Sequence, residues 1–152
     1  MNDKYLKMAV KQAKYSVESG GFPAGAVLVI DGEVISKGTS LGFKLNDPTS
    51  HAESAAIRKA CKKLKTSDLS GATLYTSLQP CLMCFSSANW AGINKIVYGT
   101  RKTNDMVSKQ YYEGYTNIES VNEKNNSKIE LIFNPVYEEQ SLKLISHWED
   151  IS

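Results

Sequence analysis

One imidazole, two thiols and a spare carboxylate stand at chemically suggestive spacings in this chain. They are His51-Ala52-Glu53 and, about thirty residues later, Pro80-Cys81-Leu82-Met83-Cys84. Zinc prefers four nitrogen or sulfur ligands in a tetrahedron, and a catalytic site keeps one corner for water. His51, Cys81 and Cys84 supply three corners. Coordination lowers the pKa of water from about 15.7 towards about 7, which makes hydroxide available at neutral pH. Two thiolates cancel the formal charge of the ion, so the water is acidified less than in an all-histidine site and benefits more from a nearby base. Glu53 is the candidate base, a carboxylate that must sit near the metal without binding it.

The flanking residues say how these groups are positioned. Thr49-Ser50 followed by an Ala-rich run predicts a capped helix start, continuing to about Leu64. Pro80 suits the first turn of a second helix, where its fixed φ and missing N–H cost nothing. Both ligand sets then lie at helix N-termini, where the dipole favours negative charge and eases thiol deprotonation. Simpler alternatives exist for each half. Ser50-His51-Ala52-Glu53 also fits a capping box in which Glu53 bonds back to the Ser50 N–H. A Cys-x-x-Cys pair alone also fits a redox couple or half of a structural zinc site.

Taken together, with Pro80 in place, the two halves match the H-x-E…P-C-x-x-C signature of zinc nucleobase deaminases. Asn46 to Glu53 and Thr73 to Cys84 resemble the cytidine deaminase superfamily, and within it the branch holding bacterial guanine deaminases, fungal-type cytosine deaminases and tRNA adenosine deaminases. The likeness runs from about Gly21 to Gly99 and weakens afterwards. It implies a Zn2+ cofactor on His51, Cys81 and Cys84, Glu53 as the catalytic proton carrier, and a homodimer or larger assembly. It also implies substrate contacts. An Asn usually stands in this branch where Ser40 stands here, and a hydroxyl cannot present a donor and an acceptor as an amide does. The Gln79 carbonyl, just before Pro80, stands where the resembled enzymes meet the amine. Trp148 and Asp150 are similar to the C-terminal aromatic and acid that close the pocket of fungal cytosine deaminases.

The activity so implied is hydrolytic deamination of a purine or pyrimidine ring with release of ammonia. A free base, guanine or cytosine, is the first expectation, because an aromatic and acidic C-terminus suits a small ring. Adenosine in tRNA is the runner-up, since the chain lacks both a Lys-x-Gly-Ala-like segment after the corresponding strand and a strong basic tail. A non-catalytic zinc-stabilised interaction module is the alternative of another class, although structural zinc needs no spare carboxylate.

The whole sequence is compatible with one domain, residues 1–152. Hydrophobic residues at 41% and charged residues at 22% suit an ordinary globular chain with a proper core. A net charge of +2 is too small to imply nucleic acid by itself. No apolar run is long enough to span a membrane. Met1-Asn2-Asp3-Lys4 opens into an amphipathic pattern without the features of a signal peptide, so a cytoplasmic location is expected. Cys61 is left over from the metal set and reads as a buried helix residue.

Apolar spacing predicts a first helix from about Asp3 to Glu18, ended by Gly20-Gly21. Ala26–Ile30 and Glu33–Lys37 read as a hairpin about Asp31-Gly32, closed at Gly38. Thr73–Ser77, Lys95–Gly99 and Lys128–Phe133 read as further strands, and Tyr137 to His147 has helical spacing. Strands alternating with helices predict a three-layer α/β/α sandwich around a mixed sheet of about five strands. Thr100 to Asn126 reads as polar. Its Tyr111, Tyr112 and Tyr115 are candidates for a pocket wall, although such a cluster is more often packing or a subunit contact.

Overall fold

The computed structural model of the protein describes residues 3–152. The Met1-Asn2 start used in the argument about a signal peptide lies outside them. Five strands form one mixed sheet: β1 (Gly25–Ile30), β2 (Glu33–Thr39), β3 (Ala72–Thr76), β4 (Lys95–Tyr98) and β5 (Glu130–Phe133), in the order β2-β1-β3-β4-β5. β1 is antiparallel to β2 and β3, whereas β3, β4 and β5 run parallel. The parallel pairs need crossovers, and helices supply them.

Residue alternation along β1 explains the layers. Val27 and Val29 point to one face and pack with Leu6 and Ala9 of α1 (Lys4–Glu18), together with Tyr75 and Val97. Ala26 and Leu28 point to the other, where α3 (Ala52–Leu64) and α4 (Leu82–Trp90) cover Leu74 and Ile96. The expected α/β/α sandwich with five strands is therefore present.

Two glycines matter to the hairpin and to α3. Asp31 and Gly32 both have positive φ, 49° and 75°, as a two-residue hairpin with right-twisted strands requires. Gly38 does not close β2, as the sequence suggested, because the strand continues to Thr39. Its role is proximity: a Cβ there would lie 2.0 Å from the Ala52 carbonyl oxygen at the start of α3. Small residues on both elements bring the helix that follows His51 down onto the sheet.

Elsewhere the boundaries move for local reasons. A one-turn helix, α2 (Gly42–Leu45), interrupts the loop before His51. Pro80 is not in the first turn of α4; Cys81 is the N-cap, and the helix starts at Leu82. The polar stretch after β4 holds α5 (Asn104–Ser108) and α6 (Ile118–Lys124). Thr103 caps the first and Asn117 the second, each by accepting backbone N–H bonds. Helices this short carry too few apolar repeats to be read from periodicity. α7 runs from Glu138 to Ile151, past the predicted end at His147, so Trp148 sits inside a helix. Among the described residues, no helix is long and apolar enough to cross a membrane.

Candidate active site

His51 and Cys81 occupy equivalent positions at the starts of two different helices. Each is an N-cap in extended conformation, with ψ near 170° in both, and each therefore turns its side chain off the helix end. The Ser50–Glu53 capping box is not what forms. Ser54 takes the reciprocal role by accepting the His51 N–H at 2.9 Å, which leaves Glu53 free for other work.

The imidazole Nδ1 lies 3.4 Å from Cys81 Sγ and 3.6 Å from Cys84 Sγ. One donor atom from each of the three residues falls within 4.8 Å of the others. A tetrahedral zinc, with bonds of about 2.0 Å to nitrogen and 2.3 Å to sulfur, separates its nitrogen and sulfur ligands by about 3.5 Å. The nitrogen–sulfur distances and the soft donor set both fit that ion. His51, Cys81 and Cys84 are thus positioned to bind zinc.

Electrostatics within the site is strongly polarised. The hydrogen bond from Cys84 lowers the pKa of Cys81 to about 6, and His51 assists. Cys84 is pushed up, by its bond to Cys81 and by burial. Glu53 is buried at 7% exposure, and loss of solvent followed by the Cys81 charge raises its carboxyl to about 7. A group near 7 both takes and gives protons at neutral pH, as a proton carrier requires.

A cavity of about 620 Å³ opens over these groups. His51, Glu53 and Cys81 lie on its wall, as do Ser40 and Gln79. Its apolar side is aromatic: Phe22, Tyr111 and Trp148 meet edge to face, with ring centroids 5.1 to 5.7 Å apart. Trp148 is delivered by α7, which is moored beside it where Glu149 accepts the Tyr111 O–H at 2.5 Å and pairs with Lys109 at 2.9 Å. Burial and then this carboxylate push the Tyr111 phenol up to about 12.

The sequence candidates are distributed unevenly. Ser40, Gln79 and Trp148 share the cavity with the metal ligands and Glu53, whereas Asp150 is exposed and lies off its wall. The tyrosine cluster divides in the same way. Tyr111 and Tyr112 line the cavity, and Tyr115 is 67% exposed and away from it. Cys61 is half-buried in α3, where it packs against the core. Sequence reasoning missed Phe22, Glu113 and Glu149. An aromatic in a loop and two acids in a polar context carry no local signal of the partners they find.

Comparison with known proteins follows the same lines. Residues 1–100 match the family model described as the cytidine and deoxycytidylate deaminase zinc-binding region. A tRNA-specific adenosine deaminase of Aquifex aeolicus is 43% identical over 94 residues, covering 62% of this chain and 62% of that protein. The match thus spans less than two thirds of that relative's length. A solved structure from work on A-to-I editing by tRNA:A34 deaminases superposes with a TM-score of 0.81 at 30% identity, covering 94% of this chain and 99% of the other. The guanine deaminase of Bacillus subtilis superposes with a TM-score of 0.69 at 33% identity, covering 100% and 96%.

Proposed function

The chain belongs to the cytidine and deoxycytidylate deaminase zinc-binding family, and on that premise we propose that it hydrolyses the exocyclic amino group of a nucleobase ring to an oxo group, releasing ammonia. The observation that carries this reading is Glu53: a buried carboxylate beside three metal-binding side chains, outside their ligand set, on the wall of a cavity that admits a nucleobase ring. A purely structural zinc site needs no such group.

When bound by His51, Cys81 and Cys84, zinc supplies Lewis acidity that makes hydroxide available from water at neutral pH. The remaining work falls to the chain. The aromatic wall holds the ring. The Glu53 carboxylate takes the proton from the attacking water and gives it to the ring nitrogen beside the carbon under attack. It then carries the second proton to the departing nitrogen. Water thus contributes the oxygen of the product, the hydrogen on its ring nitrogen and one of the three hydrogens of ammonia, the other two coming from the amino group, and Glu53 ends in its starting state. The Gln79 carbonyl, at the cavity wall, is an acceptor for the amine.

For the substrate, we place adenosine in tRNA first, ahead of the free base that the sequence alone favoured. The Aquifex aeolicus relative and the tRNA:A34 deaminase structure support it, and so does Phe43. This ring is 75% exposed at the rim of the cavity, where it offers a stacking surface to a base next to the reacting one. A free base such as guanine is the second reading. It is favoured by Trp148, which the chain's own α7 brings against Phe22 and Tyr111. Ammonia release by the zinc-loaded protein separates them, using a tRNA anticodon stem-loop containing the target adenosine, then guanine, cytosine and their nucleosides. Release from the stem-loop alone supports the first reading, and release from a free base alone supports the second. Equal release by Glu53→Ala, or none from any ring, overturns the proposed chemistry.

A further inference from the structure

We infer that Glu113 is a positioning residue for the thiol pair, holding the turn from Gln79 to Met83 so that Cys81 and Cys84 meet His51 at metal-binding distance. Its two carboxylate oxygens accept the N–H groups of Leu82 at 3.2 Å and Met83 at 3.1 Å. These are the first two amides of α4, which have no acceptor within the helix. An N-cap side chain normally satisfies such donors. Here the N-cap is Cys81, whose sulfur is turned towards His51. A carboxylate from a distant loop therefore does the capping, and its charge suits the positive end of the helix dipole.

The neighbouring residue secures the other side of the same turn. The Tyr112 O–H donates to the Gln79 carbonyl at 2.7 Å, and Pro80, next in the chain, has no N–H to offer. Two adjacent side chains thus bracket the turn that carries Cys81. Their loop is itself fixed. The Tyr111 N–H donates to the Met106 carbonyl at 2.9 Å, and the Tyr111 hydroxyl is held by Glu149. Without Glu113, the Leu82 and Met83 amides turn to water, and the first turn of α4 loses its fixed point. Groups that orient metal ligands commonly govern affinity by about 10- to 100-fold. Glu113 acts mainly through these two backbone amides, with the Cys81 thiol as a further hydrogen-bonding neighbour, so the lower end of that range is expected.

The inference rests on the metal-centre reading of the site and does not depend on the substrate. Zinc affinity of the folded chain is measured by competition with a chelating indicator, for the unmodified protein, Glu113→Ala, Glu113→Gln and Tyr112→Phe. The absorption bands of the Co2+-loaded forms are recorded alongside. Glu113→Ala is expected to weaken zinc binding about tenfold and to shift the cobalt bands. Glu113→Gln keeps one acceptor oxygen and loses the charge, so its loss is smaller; it also carries the test if Glu113→Ala does not fold. Tyr112→Phe is expected to leave zinc affinity within about twofold, because it frees only the Gln79 side. Unchanged affinity and bands in both Glu113 variants overturn the inference. An unmodified chain that binds no zinc overturns the metal-centre reading itself, and the inference with it.

Discussion

His51 Nδ1 lies 3.4 Å from Cys81 Sγ although each residue begins a different helix and thirty positions separate them. The contact exists because α3 and α4 both pack on the same face of the sheet with their N-termini together. Removing either side chain leaves too few donors for a stable site. Cys81→Ser and His51→Ala are each expected to lower bound zinc from about one ion per chain to a small fraction, by metal analysis after dialysis. Retention of a full ion by both variants would place the metal elsewhere.

Glu53 has a different dependence, because it stands outside the ligand set. Glu53→Gln preserves size and removes the proton carrier. Activity on the preferred ring is expected to fall by about 10²- to 10⁴-fold, with zinc content unchanged. Loss of zinc in this variant would mean that Glu53 is a ligand and that its proposed role is wrong.

Gly38 controls how closely α3 approaches the sheet. An added methyl group would meet the Ala52 carbonyl oxygen at 2.0 Å, a backbone atom that cannot swing aside. Gly38→Ala is expected to cost about 1–3 kcal/mol of stability, as overpacked sites do. It should weaken zinc binding as well, since Ala52 is joined to His51. Thermal unfolding with and without zinc checks both effects, and a variant as stable as the parent would show that the helix adjusts freely.

The mooring of α7 predicts a pH dependence. The hydrogen bond from Tyr111, and then Lys109, lowers the Glu149 pKa below its ordinary value of 4.5. A depressed carboxyl contributes stability that is fully present above the unfolded pKa and is lost as pH falls through the folded one. The α7 docking is therefore expected to hold above about pH 5 and to loosen below the ordinary Glu range. Trp148 fluorescence reports the change, with Trp90, 89% exposed, as a constant solvent-exposed background. Glu149→Gln should remove the acid transition; its persistence would assign the mooring to other groups.

The sequence by itself determined the candidate metal donors and most of the fold. The zinc donors and Glu53 belong to two short motifs, and each motif fixes its own helix start within a few residues. The five strands were legible because buried β-runs between turn residues leave a local pattern; even the positive φ angles at Asp31 and Gly32 follow from the residue pair. Only the tertiary structure decided what surrounds that chemistry. Glu113 meets Leu82 and Met83 across the fold, Glu149 meets Tyr111, and Phe22 meets Trp148 from the opposite end of the chain. None of these residues has a periodic position or a motif to announce it. A lone side chain in a loop or helix can be assigned a partner only once packing has fixed where its neighbours lie. The exposed Asp150 and the cavity-lining Trp148 make the same point two residues apart, because the rotation of α7 against the cavity chooses between them.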